Sequence, residues 1–440
     1  MTHDPVRTIA CGAGFAGDRI DPAVALARSG RVDSVVLECL AERTLLPGLR
    51  ARQSDPEAGA DPRLRRRLSP LLPPAKANRC RIISNLGAAN PAAAVRQIAH
   101  LATSLGCAGI KVAGVIGDDV LSLKEHIAWD DPVQGELLGA HAYLGTSGIV
   151  EAVDNGADVI VTGRVADSAL FAGDLLPYIS DTPEAFAGAV AVGHLLECSG
   201  QITGGNFEAP GGVGLEPADY ADLGFPIAAV MADGSAEIHM LDGAPGRVDR
   251  LTCTVQLLYE VHDPAHYITP DLTVDFTGIR LDEIGRNRVR VSGTRAVGRP
   301  THLKVSGFIE RKGMIADVEI AFAGTYAERR AQQAAETLRL RLQDWPPDSC
   351  AIDLVGVNSV LGGAAKPASG TPSEVRVHIS ARCEDAAAAQ TIEDEVYALT
   401  LSGPAGGCSV RSERRPRIEV LDGLIDRNLV KTTLEWATAS

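Results

Sequence analysis

Aromatic side chains are scarce in this chain, 4% of its 440 residues, so its cores must be built from Ala, Val, Leu and Ile rather than from stacked rings. Basic residues are outnumbered: 42 Lys and Arg face 56 Asp and Glu, a net charge of −14. That balance excludes a general binder of nucleic acid or of anionic membranes. Apolar runs such as Ala187 to Val192 are too short to span a bilayer, so no membrane partner is expected. No charged-then-apolar leader opens the chain, because Asp4, Arg7 and Asp18 bracket a short strand; a cytoplasmic location is the expectation. The nine cysteines are scattered singly with no CxxC pair, which excludes a zinc ribbon, a redox dithiol and a full disulfide framework. No HExxH motif is present, and no metal is expected.

What the chain does have is glycine, 45 residues of it. The most informative segment reads IACGAGFAGDRIDPAVALARSGRVDSVVLECLAERT. An apolar strand runs into Gly12, Gly14 and Gly17, then Asp18-Arg19, a helix, and the buried strand Val32 to Leu37 ending on Glu38-Cys39. Glycines at a strand end let backbone approach a ligand, and the next helix offers free N–H groups to an anion. Glu38, 21 residues after Gly17, formally completes a dinucleotide fingerprint. The third glycine of a true fingerprint lies inside the helix, however. Here Asp21 reads as the N-cap and Pro22 as the first helical residue. Nucleotide or NAD use of the GAGFAG turn is therefore the alternative, not the first reading.

Strand-like and helix-like segments alternate up to about residue 230. Arg81 to Ser84, Gly109 to Val115 and Asp158 to Thr162 read as strands; Asn90-Pro91 starts a helix to Leu105 and Thr146-Ser147 another to Asn155-Gly156. The rhythm predicts an α/β fold: a mostly parallel, doubly wound-like sheet over residues 1–245. After 246 the strands crowd together, Leu251 to Val261 among them, and an α+β second domain over 246–440 is expected, with Trp345-Pro346-Pro347-Asp348 between its two lobes. The basic run Arg63, Arg65, Arg66, Arg67 in a Pro-rich stretch reads as a solvated loop.

Ligands of parallel sheets bind beyond the carboxyl ends of the strands, and this chain places polar residues there. Asp18, Glu38 and Asp167 are the candidate catalytic acids and bases, since neighbouring carboxylates split their proton affinities. If Cys39 opens a helix, Glu38 and Glu42 share one face. Gly14, Gly17 and Arg19 form one candidate substrate grip; Arg164 in GRVADS forms another, Arg being the bidentate choice for anions. Asn85 ends a third strand. Thr146 and Ser147 open a helix whose N–H groups suit an anion. Gly204, Gly205 and Asn206 belong to a polar, Gly-rich loop of the kind that covers sites. Each motif has a plainer reading as well: Asp18 paired with Arg19, capping by Thr146 or Ser147, and a clasp between Arg164 and Asp167. Cys198 reads as an inert core thiol before a nucleophile.

GAGFAGDRIDPA with LECLAERT, then KVAGVIGDD, TGRVADSALF, CSGQITGGNF, GFPIAAVMADGSAEI and the late SGPAGG, resembles the acyclic terpene utilization AtuA family of bacteria, in order and over nearly the whole chain. The resemblance implies a place in the catabolism of branched terpenoid acids as coenzyme A thioesters. The expected function is a cytoplasmic, homo-oligomeric enzyme acting on a small carboxylate or acyl-CoA thioester by lyase- or hydratase-type proton transfer. Coenzyme A is then part of the substrate, and the cofactor is left unassigned. A nucleotide- or NAD-dependent enzyme and a non-catalytic accessory subunit of a carboxylase or hydratase complex are the competing readings.

Overall fold

A computed structural model describes residues 4–346, 349–365, 370 and 372–440; Pro347 and Asp348 of the expected lobe boundary lie outside them. The chain divides into two compact units. The first runs to Pro132, resumes over Leu138–Gly307 and closes with Leu421–Ser440; the second comprises Val133–Leu137 and Phe308–Val420. The division expected at residue 245 falls inside the first unit, because the strands that follow it join the first unit's own sheet.

That sheet contains β1 (Arg7–Ala13), β2 (Ser34–Leu37), β3 (Arg81–Ser84) and β4 (Lys111–Ile116). Two strands, β5 (Ile127–Trp129) and β6 (Leu137–Ala142), lie off it, and β7 (Val159–Thr162), β8 (Ile227–Val230) and β9 (Ala236–His239) return to it. The order at its centre is β1-β2-β3-β7-β4, and all four of these pairings are parallel. The flanks are antiparallel: β8 and β9 on one side, continued by the hairpin Arg280–Gly285 and Arg288–Ser292, and the late strand Thr433–Thr438 beside β4 on the other. The sheet is thus mixed, with a parallel centre, rather than mostly parallel. The hairpin and the late strand are the elements that the alternating pattern did not anticipate.

Strand alternation puts successive residues on opposite faces. Ile9, Cys11, Val36, Ile83 and Ile160 meet one core; Ala10, Val35, Ile82 and Val159 meet the other. On the second face lie α1 (Asp21–Ser29), α3 (Leu64–Asn78) and α4 (Pro91–Ser104), with α2 (Glu42–Ser54) preceding α3 in the chain. On the first face lie α5 (Ser147–Asp154), α6 (Asp167–Leu175) and α7 (Pro183–Leu196).

Two local expectations are corrected. Leu251 to Val261 is not a strand: Arg250–Leu258 is a helix, fixed at its start by Asp249, whose carboxylate accepts from the amides of Leu251 and Thr252. The arginine run is not a loop either. It forms the first turn of α3, which tolerates Pro70, Pro73 and Pro74 while burying Leu64, Leu68, Leu71, Leu72 and Ala75 at helical spacing.

In the second unit, Cys350–Val355 and Glu374–Cys383 pair antiparallel, and Glu374–Cys383 pairs antiparallel with Met314–Ala323. Helices Ala327–Arg341 and Ala386–Ser402 close over this sheet through Ala331, Leu338, Ile392 and Leu399. Among the described residues no helix is long and apolar enough to cross a membrane.

Candidate active site

The chain leaving β3 enters α4 on one face, while the chain leaving β7 enters α6 on the other. Between these diverging paths the carboxyl ends of β2, β3 and β7 stand side by side. Glu38 follows β2, Asn85 follows β3, and Gly163-Arg164 follows β7. The Asn85 amide is fully used. Its Oδ1 accepts from the Cys39 N–H at 2.7 Å and its Nδ2 donates to Glu38 Oε1 at 2.9 Å; the Leu40 N–H donates to the same oxygen at 2.8 Å. Asn85 therefore holds Glu38 in place rather than facing a substrate.

Arg164 is fixed from behind. Its amide donates to Asp118 Oδ2 at 2.8 Å, and that oxygen also lies 2.9 Å from His141 Nδ1. A Cβ on Gly163 would fall 2.4 Å from the same carboxylate, which is why glycine stands there. The guanidinium lies 4.1 Å above the Tyr143 ring and donates to the Leu40 carbonyl. It sits 3.6 Å from Glu42 Oε1 and 3.7 Å from Asp167 Oδ1. Glu42 opens α2 and Cys39 does not, so Glu38 and Glu42 share no helix face; they are related through Arg164 instead.

Asp167, the first residue of α6, lines a cavity of about 360 Å³ together with Tyr143, His194, Glu197, Glu260, Tyr267, His302 and Lys304. Its Oδ1 is buried and accepts no hydrogen bond. Burial pushes its carboxyl up to about 7; Arg164 opposes this, and Glu197, Glu42 and Glu260 reinforce it. Glu38 is displaced the same way, well above the ordinary carboxylate range, first by burial and then by the charge of Asp167; Asn85, the Leu40 amide and Arg164 pull it back. Two carboxyls crowded beside one guanidinium thus both hold a proton more tightly than ordinary carboxylates do. Burial alone would raise Glu42 too, but Arg164 and the Tyr143 hydroxyl, which donates to Glu42, leave it below its usual value.

His194 places Nδ1 2.8 Å from Glu197 Oε1 and Nε2 3.1 Å from the Leu257 carbonyl. Both partners are acceptors, so the ring satisfies them together only as an imidazolium. Its affinity for that proton is raised: burial, the largest influence, works against it, but Glu197, the Leu257 carbonyl and Glu260 together outweigh burial.

The other expected residues lie elsewhere. Asp18 is consumed by its own turn, accepting from the amides of Gly14 and Arg19 at 2.9 and 2.7 Å and from Ser199 Oγ at 2.6 Å. Arg19 pairs with Asp21 and lies 3.7 Å from Asp222. Both residues, with Gly17, face a different cavity from that of Asp167. Gly14 is a packing glycine, since a Cβ there would meet the Cys198 backbone at 2.6 Å. The helix start at Thr146 and Ser147 is already filled: the Thr146 amide donates to Asp271 Oδ2 at 2.8 Å. Gly204 and Gly205 pack near Leu215 and Leu223, Asn206 donates to Gln201 at 3.2 Å, and none of the three lines the Asp167 cavity. The Cys198 thiol is pushed up to about 12, chiefly by burial, so it is a poor nucleophile.

Sequence reasoning missed Tyr143, Lys304, His302 and Glu260, which carry no local signal. Glu197 could have been found three residues after His194 at a helix end. Among the described residues no group of three or more His, Cys, Asp or Glu is arranged to hold a metal ion.

The architecture defines a mixed α/β protein with a carboxylate-lined cavity at the ends of its central strands. The sequence profile of the acyclic terpene utilisation family protein AtuA matches residues 7–436. The chain belongs to that family. No curated protein and no solved structure matches it significantly.

Proposed function

We propose that this chain is an enzyme whose Asp167 cavity transfers a proton next to a carbonyl in an acyl-CoA thioester or small carboxylate, chemistry of the lyase or hydratase type. The observation that carries the reading is Asp167 itself. Its side chain is partly exposed on the wall of a cavity, with Oδ1 buried 3.7 Å from Arg164, and burial and the neighbouring acids raise its proton affinity. A general acid–base group works best when its proton affinity matches the operating pH. Asp167 takes the catalytic role, and Glu38, buried behind it, is a positioning residue that keeps the proton in the pair. Arg164 orients Asp167. Lys304, half-exposed at the cavity and 3.3 Å from Asp422, is the lysine placed to meet a developing oxyanion once it turns from that partner.

The cavity wall sets Asp167, Glu197 and Glu260 against Lys304 and the His194 imidazolium, a balance that suits an uncharged thioester carbonyl better than a free carboxylate. Family membership supports the same substrate class. The location between β3 and β7, where the chain diverges, is the ligand crevice of open α/β sheets and supports a doubly wound-like reading of the sheet's centre. The nucleotide alternative loses ground at the GAGFAG turn, whose Gly14 amide is occupied by Asp18. A cytoplasmic homo-oligomer remains our reading of the setting.

The test is deuterium uptake at the α-carbon of a panel of branched acyl-CoA thioesters in heavy water, followed by mass spectrometry. Wild type exchanges, and Asp167→Asn slows exchange by about 10² to 10⁴. Equal exchange in Asp167→Asn, or none by wild type with any thioester or free acid, overturns the reading; the second result turns attention to the accessory-subunit role.

A further inference from the structure

A second cavity, of about 690 Å³, is bordered by α1 and α3 and carries five arginines, Arg19, Arg28, Arg63, Arg66 and Arg67, against two acids, Asp18 and Asp21. Such a concentration of positive charge is notable in a chain of net charge −14. Both acids are already committed, Asp18 to its own turn and Asp21 to Arg19. Arg28 and Arg66 are exposed, and their side chains make no hydrogen bond or ion pair among the described residues.

Two of the guanidinium groups are incompletely satisfied. Arg67 is 3% exposed. Its Nη2 donates to the carbonyls of Phe15, Ala16 and Asp18 at 3.3, 2.8 and 3.0 Å, yet its Nε is buried with no acceptor. Arg19 Nη1 is buried without one as well. Native proteins rarely leave buried charged donors unpaired, because each costs its desolvation.

The helix that supplies Arg66 and Arg67 adds an independent argument. The first turn of α3 carries basic residues and no acid, the wrong sign for the positive end of its macrodipole. An anion seated there would compensate the macrodipole and the exposed arginines together, beside Arg19 and Arg67 on the cavity wall. Carboxylates bring one charge, but five arginines against two acids leave three, which suits a phosphoryl group or diphosphate. The planar guanidinium fork matches that geometry.

We propose that this cavity binds the phosphoryl groups of a small phosphorylated ligand, gripped by arginine side chains rather than by the amides of the GAGFAG turn. The proposal stands apart from the proton-transfer reading. The two sites are nonetheless neighbours in the chain: Glu197 lines the acidic cavity, and Ser199, two residues on, donates to Asp18 of the arginine cavity.

The experiment is calorimetric titration at low ionic strength with three probes: pyrophosphate, adenosine 3′,5′-bisphosphate and coenzyme A. The variants are Arg28→Gln, Arg66→Gln and the double, chosen because both side chains are exposed and unpartnered and so leave the fold intact. Wild type binds pyrophosphate, and each single change weakens binding by about tenfold, as expected for loss of a charged hydrogen bond. The double variant loses binding. Tighter binding of coenzyme A or the bisphosphate than of pyrophosphate assigns the phosphate to a nucleotide handle; equal affinity assigns it to a simpler phosphorylated metabolite. Asp167→Asn keeps full binding whatever becomes of exchange activity, which separates the two proposals. Absence of binding by wild type to all three probes at millimolar concentration, or binding unaffected by the double change, overturns this one.

Discussion

Arg7 and Asp174 stand 167 positions apart and meet at 3.0 Å, at the start of β1. Asp174 is wholly buried and also accepts from Ser34 Oγ and Arg81. These three partners begin β1, β2 and β3, so the amino edge of the central strands is sealed by one saturated ionic cluster. At the opposite edge, the same sheet leaves Glu38, held by Asn85 and the Leu40 amide, crowded against Asp167, whose Oδ1 accepts no hydrogen bond. The ionic cluster stands at one end of these strands and the candidate active site at the other.

Removing Asp174 should therefore cost stability without touching chemistry. Asp174→Ala takes the shared carboxylate from the largely covered guanidinium groups of Arg7 and Arg81, and urea unfolding should show a loss of about 3 kcal/mol. The protein that stays folded keeps its exchange rate per molecule. A loss below about 1 kcal/mol would mean that water repairs the cluster.

Glu38 gives a prediction with a definite sign. Its folded-state proton affinity is raised, so the native state binds the proton more tightly than the unfolded chain. Its contribution is present at low pH and is lost as pH rises from about 4 towards the folded value. Glu38→Gln keeps an Oε1 to accept from Asn85 and Leu40 and resembles the protonated acid. In thermal melts the variant should match wild type near pH 5 and melt above it by pH 8. A variant that falls behind as pH rises contradicts the assignment.

Glu260 is exposed and its charge helps to raise Asp167. Glu260→Gln should move the acid limb of the kcat/KM profile to lower pH by a few tenths of a unit, and high salt should move the wild-type limb the same way. Movement to higher pH would mean that the limb reports another group.

Some of this was legible in the residues. Asn90-Pro91 announced α4, and Asn90 does cap it, accepting from the Ala93 amide at 3.1 Å. Polar residues at strand ends pointed to Glu38, Arg164 and Asp167, which adjacent parallel strands bring together. Strand order was not legible. Asp18 and Arg19 follow a strand too, but two strands lie between β1 and β7, and the turn after β1 opens onto the other cavity. The glycine turns misled for a different reason. Each looked like an anion cradle, and each is filled by a carboxylate of the chain itself, Asp271 from 125 positions beyond Thr146 and Asp118 from 46 before Arg164. Local spacing carries no trace of partners so distant. Prolines hid α3 because their cost to a helix is local, while the leucine stripe that outweighs it spans three turns.

The late strand Thr433–Thr438 seals the exposed side of β4, and Arg96 of α4 reaches Glu435 across 339 positions. During synthesis β4 leaves the ribosome long before this partner exists. Until then one of the central parallel strands presents an open row of amides and carbonyls to any other nascent chain. That side of β4 is closed only once Thr433–Thr438 has been made, so the sheet's central order is completed by one of the last-made elements described.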